Sequence, residues 1–101
     1  MKVYAIVHAD AMKDVDDNAE IAGERITQTR QSGYPLFEIP WVPEDYDDLN
    51  RGARKMSAIY PPDTKVILLG GFGHICVPIF KGQLKLNVFT NVTIDEDGCF
   101  Y

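Results

Sequence analysis

Apolar residues along the chain fall into short runs typical of buried strands and longer stretches with helical spacing. Residues 2–7 and 65–69 predict two strands, and the second run is apolar after its first residue, as in a central strand covered on both faces. Residues 36–42 predict a strand at the edge of the sheet, because Pro40 lacks the N–H that an interior strand needs. These runs predict a sheet with a buried centre.

Two helices are predicted between these strands. Small and aliphatic residues recur at helical intervals over residues 15–31, and Gly33 supplies a stop. Pro43 opens the second helix, which has acidic residues near its start and basic residues towards its end, as the helix dipole favours. Pro61 and Pro62 cannot continue this helix, so it ends before them.

The segment that follows the glycine-rich turn has two interpretations. Gly82, Pro78 and an alternation of apolar residues favour a β-hairpin over residues 75–86, whereas the strand-helix-strand order upstream favours a helix. We favour the helix, which leads into a strand over residues 88–94. Residues 95–98 then predict a turn before a short terminal segment.

The order of these elements predicts one α/β domain over residues 1–101, since the chain has room for a single core. Right-handed crossovers give a Rossmann-like, mainly parallel four-stranded sheet of order 2-1-3-4 with helices on both faces. In such a sheet, ligands bind outside the carboxyl ends of the strands where successive crossovers leave in opposite directions. Here this crevice lies between the first and third strands.

Several chemically versatile side chains are predicted to meet at this crevice. His8, Asp10 and Lys13 follow the first strand, and the glycine-rich turn leads from the third strand to Cys76. A thiol at a helix N-terminus is favoured as the nucleophilic thiolate, Asp10 would accept its proton, and Lys13 would hold the pair in its productive ionisation state. The catalytic candidates are therefore Cys76, Asp10 and Lys13. The ligand-binding candidates are Gly70, Gly71, Gly73, His74 and His8.

Three segments carry motifs that recur together in one family. Residues 70–77 read Gly-Gly-Phe-Gly-His-Ile-Cys-Val, residues 30–35 read Arg-Gln-Ser-Gly-Tyr-Pro, and residues 92–99 read Val-Thr-Ile-Asp-Glu-Asp-Gly-Cys. In this order they resemble the isochorismatase-like cysteine hydrolases, which include nicotinamidases. The resemblance implies hydrolysis of a small amide or related carbonyl compound through Cys76, with Asp10 as the catalytic aspartate.

The composition of the chain limits its possible binding partners and its cellular compartment. Fifteen acidic against ten basic residues give a formal charge of -5, which repels a phosphate backbone, so we expect no nucleic-acid partner. No apolar run is long enough to cross a bilayer, and no signal-like leader is present, so we expect a cytoplasmic protein with both cysteines reduced and no membrane partner. His8 lacks partners at metal-ligand spacing, so neither a metal nor another cofactor is predicted.

Three functions fit this sequence. The first is the cysteine hydrolase, with a small-molecule substrate. The second is a non-catalytic module that binds a small anion or nucleotide at the glycine-rich turn. The third is a self-associating interaction protein, because the sheet edge and the apolar residues near Trp41 and at the C-terminus offer a surface for a second copy. We expect a homo-oligomer under each of them.

Overall fold

A computed structural model describes residues 1–11 and 19–101 of the chain. Four strands and three helices alternate in it, and a 3-10 turn at Ala9–Ala11 follows the first strand. Their bounds are β1 Lys2–Val7, α1 Ala19–Arg30, β2 Leu36–Ile39, α2 Asp48–Ile59, β3 Lys65–Gly71, α3 Cys76–Leu86 and β4 Asn91–Phe100. The start of the helix predicted over residues 15–31 lies outside the described residues.

The sheet has the predicted order and direction. Its strands run β2-β1-β3-β4, and every neighbouring pair is parallel. The β1 and β3 strands are adjacent in register, with Val3 beside Val66 and Val7 beside Gly70. The predicted α/β architecture is confirmed, and the helical interpretation of residues 75–86 is correct.

The helices cover the sheet in three layers. Alternate residues of β1 and β3 point to opposite faces, as in any strand. Val3, Ala5 and Val7 join the core under α2 and α3, whereas Ile6 joins a smaller core under α1. The larger core includes Phe80 of α3, which is fully buried and fills the space between helix and sheet. The sheet whose carboxyl edge was predicted to hold the site is therefore packed on both faces.

The predicted boundaries of β2 and α2 are wrong in the segment that joins them. The β2 strand ends at Ile39 instead of residue 42, because the next residue is Pro40, which cannot donate a ladder hydrogen bond. The α2 helix begins at Asp48 instead of Pro43, and Glu44 has a left-handed backbone conformation (φ 71°) that no helix contains. Residues 40–47 form a loop, which we call the 40–47 loop.

The predicted end of the chain is also wrong. Instead of a strand over residues 88–94 and a turn at 95–98, β4 runs from Asn91 to Phe100 and carries residues 95–98 as a bulge opposite Leu69. Two glycines extend β3 beyond the predicted residue 69, so that Gly70 pairs with Cys99 and Gly71 pairs with Phe100. Arg25 of α1 donates a hydrogen bond to Asp95 at 2.8 Å, and this ion pair balances the negative charge of one carboxylate in the bulge.

Candidate functional site

An open cleft of about 670 Å³ lies at the carboxyl end of β1. The 40–47 loop and the start of α2 form one wall, and the start of α3 forms the other. Because β1, β2 and β3 are parallel, the segments that follow all three strands leave at this edge of the sheet. The lining residues are His8, Trp41, Val42, Glu44, Asp45, Tyr46, Asp47, Asp48, Leu49, Asn50, Phe72, Ile75, Cys76, Ile79 and Gln83.

His8 forms a partly buried side-chain hydrogen bond in this cleft. It follows β1 directly in a left-handed conformation (φ 51°), and its backbone N–H donates to the carbonyl of Ile39 at 2.8 Å. Its ring Nε2 lies 2.5 Å from Oδ2 of Asp48, and the ring donates because a carboxylate only accepts. The two side chains are 9% and 12% exposed, so the pair is almost fully removed from water. This hydrogen bond fixes the start of α2 to the end of β1.

Cys76 is the first residue of α3 and is partly buried. Cys76 lines the same cleft as His8, but no hydrogen bond joins the two side chains. Cys76 therefore lines the cleft from the N-terminus of α3.

Cys99 has a different environment from Cys76, and no disulfide joins the two. It is fully buried in β4, and its thiol lies 3.3 Å from the backbone oxygen of Asp95. Burial, together with the nearby Asp95 carboxylate, raises the pKa of the Cys99 thiol from 9.0 to about 11. Its thiolate is correspondingly scarce near neutral pH.

Four carboxylates line the cleft, and two of them are held by arginines of α2. Arg51 forms a close ion pair with Asp45 and thereby lowers the pKa of that carboxyl below its usual value. Arg54 lies 3.4 Å from Asp47, but both side chains are about 60% exposed, so water screens this pair. Glu44 has no hydrogen bond or ion pair within the described residues.

Two aromatic side chains of the 40–47 loop are open to solvent in the cleft. Tyr46 is 93% exposed and Trp41 is 39% exposed. The Trp41 ring lies beside the His8 ring, with 6.3 Å between the ring centroids. Exposed aromatic rings grouped in a concave surface are a common feature of binding sites.

Of the predicted site residues with polar side chains, the cleft brings together His8 and Cys76. Asp10 is 74% exposed and lies 4.0 Å from Arg30 on α1, so it is not part of the cleft. His74 lies instead against the ring of Tyr101, with 4.5 Å between the ring centroids. Lys13 lies outside the described residues. The predicted convergence of Asp10 with the thiol is therefore not found.

The predicted glycines allow close packing, and none of them lines the cleft. Gly70 has a φ of 107° and lies against the backbone of Val7, where a Cβ would come within 2.0 Å of the carbonyl oxygen. A Cβ on Gly73 would lie 2.4 Å from the ring of Tyr101. Gly71 is a buried residue of β3. These glycines thus close the end of the sheet beneath the cleft.

Three important cleft residues were not among the predicted site residues. Trp41 and Tyr46 were not predicted to bind a ligand, and Asp48 was read only as part of an acidic helix start. The sequence contained one indication that the loop after β2 reaches the site. Because β2 lies beside β1, the segment that follows β2 leaves the sheet at the same edge as His8. The partner of His8 was not predictable, since it depends on where α2 begins.

Comparison with known proteins gives no further assignment. A scan against protein-family models, a search of curated proteins and a search of solved structures each returned no match. Within the described ranges, no cluster of three or more His, Cys, Asp or Glu side chains is suited to a metal ion. No helix in the described part of the chain is both long and apolar enough to cross a membrane. The resemblance to isochorismatase-like hydrolases stays a prediction.

Proposed function

We propose that the protein binds a small molecule in the cleft beside His8. The observation that carries this proposal is the cleft itself, which has a volume of about 670 Å³ at the carboxyl ends of parallel strands. This volume is typical of ligand sites, and this edge of the sheet is where open α/β folds bind their ligands. Apolar side chains together with a few polar groups provide both the affinity and the orientation that such a site needs.

Trp41 and Cys76 permit a test from two sides of the cleft. Trp41 is the only tryptophan of the chain, so its fluorescence reports one wall, and alkylation of Cys76 by iodoacetamide reports the other. We expect fragments that change the Trp41 emission to slow the alkylation of Cys76 as well. Cys99 serves as the internal control, and we expect it to react at least about 100-fold more slowly than an exposed thiol, because burial raises its pKa to about 11.

Mass spectrometry of each cysteine peptide gives the two rates separately. A fragment library in which no compound changes the Trp41 emission would argue against a binding cleft. Fragments that change the emission and leave the Cys76 rate unchanged would argue against one site that spans both walls of the cleft.

Hydrolysis through Cys76 is a second candidate function, favoured by the presence of a thiol and a histidine in one cleft. In this hypothesis His8, held by Asp48, takes the role first expected of Asp10. The imidazole accepts the thiol proton, the thiolate forms a bond to the substrate carbonyl carbon, and the leaving group departs with the proton returned by the imidazolium. Water then cleaves the thioester, which releases the acid and restores the thiol.

An activated aryl ester such as p-nitrophenyl acetate tests this candidate directly. We expect Cys76→Ala to abolish hydrolysis and His8→Asn to lower it about 100-fold, as is typical when a general base is removed. Asp10→Asn is the matched control, since Asp10 lies outside the cleft and its replacement should leave the rate unchanged. Hydrolysis that survives Cys76→Ala would exclude this mechanism and leave the binding proposal intact.

A further inference from the structure

We infer that the ligand of this cleft carries a positively charged nitrogen attached to an apolar or aromatic group. This inference rests on the proposed binding function and specifies the chemical class of the ligand. Charged and aromatic residues of the cleft support it independently, and a third feature accounts for the apolar part of the ligand.

The first observation is the sign of the charge in the cleft. Four carboxylates line it, and no lysine or arginine does within the described residues. Arg51 engages Asp45, and His8 engages Asp48. Arg54 lies 3.4 Å from Asp47 in a solvent-exposed pair, so three of the four carboxylates have partners. Glu44 has no ionic partner among the described residues. The cleft therefore presents a negative potential that attracts a cation and repels an anion or a nucleotide.

The second observation is the pair of exposed rings. Trp41 and Tyr46 line the cleft on the same loop as Glu44, and both rings are accessible to a ligand. The face of an aromatic ring attracts an ammonium group, most strongly in the case of tryptophan. Because Tyr46 is 93% exposed, its ring contributes little to folding and is accessible to a ligand.

The third feature is the apolar character of the α3 wall. Ile75 and Ile79 are 55% and 52% exposed, and they line the cleft together with Phe72. A ligand that placed its ammonium near the 40–47 loop would bury its apolar part against these side chains. An inorganic cation or a simple ammonium ion would leave this wall uncovered.

Three probes that share one ring and differ in charge test the inference, namely benzylammonium, benzyl alcohol and benzoate. Each is titrated into the full chain at constant ionic strength, with Trp41 fluorescence as the readout. We expect benzylammonium to bind at least roughly tenfold more tightly than the other two, as a favourable charge and a cation–π contact would give. Added salt should weaken only the binding of benzylammonium.

Two substitutions at one exposed position provide matched controls. Glu44→Gln should reduce the preference for benzylammonium, and Glu44→Lys should reverse it in favour of benzoate, while neither changes the strain of the backbone at this left-handed residue. Equal binding of the three probes, or a preference for benzoate in the unmodified chain, would overturn the cationic class and leave the binding function standing. If no probe changes the Trp41 emission, the inference fails, and the fragment library decides separately whether the cleft binds a small molecule.

Discussion

Gly70→Ala should destabilise the protein by about 4 kcal/mol or prevent folding altogether. The backbone at Gly70 has a φ of 107°, a conformation that an alanine adopts only with strain. A Cβ at this position would also come within 2.0 Å of the carbonyl oxygen of Val7, which is backbone and cannot move aside. Since Val7 and Gly70 are register partners at the ends of β1 and β3, relief of the clash requires the two strands to separate.

Gly82→Ala is the matched control for this substitution. Gly82 lies in the exposed interior of α3, and an added Cβ would meet nothing within 4 Å. Alanine is a better helix former than glycine, so we expect this variant to gain about 1 kcal/mol. Urea unfolding followed by circular dichroism measures both free energies. Variants that differ in stability by less than about 1 kcal/mol would contradict the close approach of β1 and β3 at this point.

The sheet was predictable because its strands have a simple relation to the sequence. Residues 65–69 are almost entirely apolar, which is typical of a strand covered on both faces, and β3 does lie between β1 and β4. Crossover handedness then placed β1 between β2 and β3. These rules concern whole elements, and they do not depend on which individual side chains meet.

The ends of the elements were not predictable by the same rules. Residues 95–98 combine three acidic residues with a glycine, a composition typical of a turn, and local propensity gives no sign that they form a bulge within β4. The bulge depends on distant partners, because Arg25 of α1 is 70 residues away from Asp95 in the chain. Pro43 likewise suits a helix start by itself, but the left-handed backbone of Glu44 delays that start to Asp48.

The location of the candidate site was predictable from the sequence, but only some of its residues were. Topology indicated the carboxyl ends of β1 and β3, and His8 and Cys76 do line a cleft there. Asp10 was expected beside the thiol because it follows β1, but two residues beyond His8 the chain has already turned towards Arg30. The aromatic and acidic wall comes from the 40–47 loop, whose conformation no periodic pattern indicates.

The hydrogen bond between His8 and Asp48 should make a large contribution to the stability of the cleft. We expect Asp48→Ala to cost about 3 kcal/mol, because it leaves the buried ring nitrogen of His8 without its acceptor. The neighbouring Asp47 provides the control, since it lies at the same helix N-terminus and its ion pair with Arg54 is exposed. Asp47→Ala should therefore cost less than about 1 kcal/mol.

A double-mutant cycle separates this pair from the other effects of each substitution. His8→Ala removes ring packing as well as the hydrogen bond, but the interaction energy between His8→Ala and Asp48→Ala contains only what the two side chains share. We expect an interaction energy of about 2 kcal/mol for this pair, against a value near zero for His8→Ala combined with Asp47→Ala. Equal values for the two cycles in urea unfolding would mean that His8 is held by its surroundings without Asp48. In that case the start of α2 would not be what orients the histidine in the cleft.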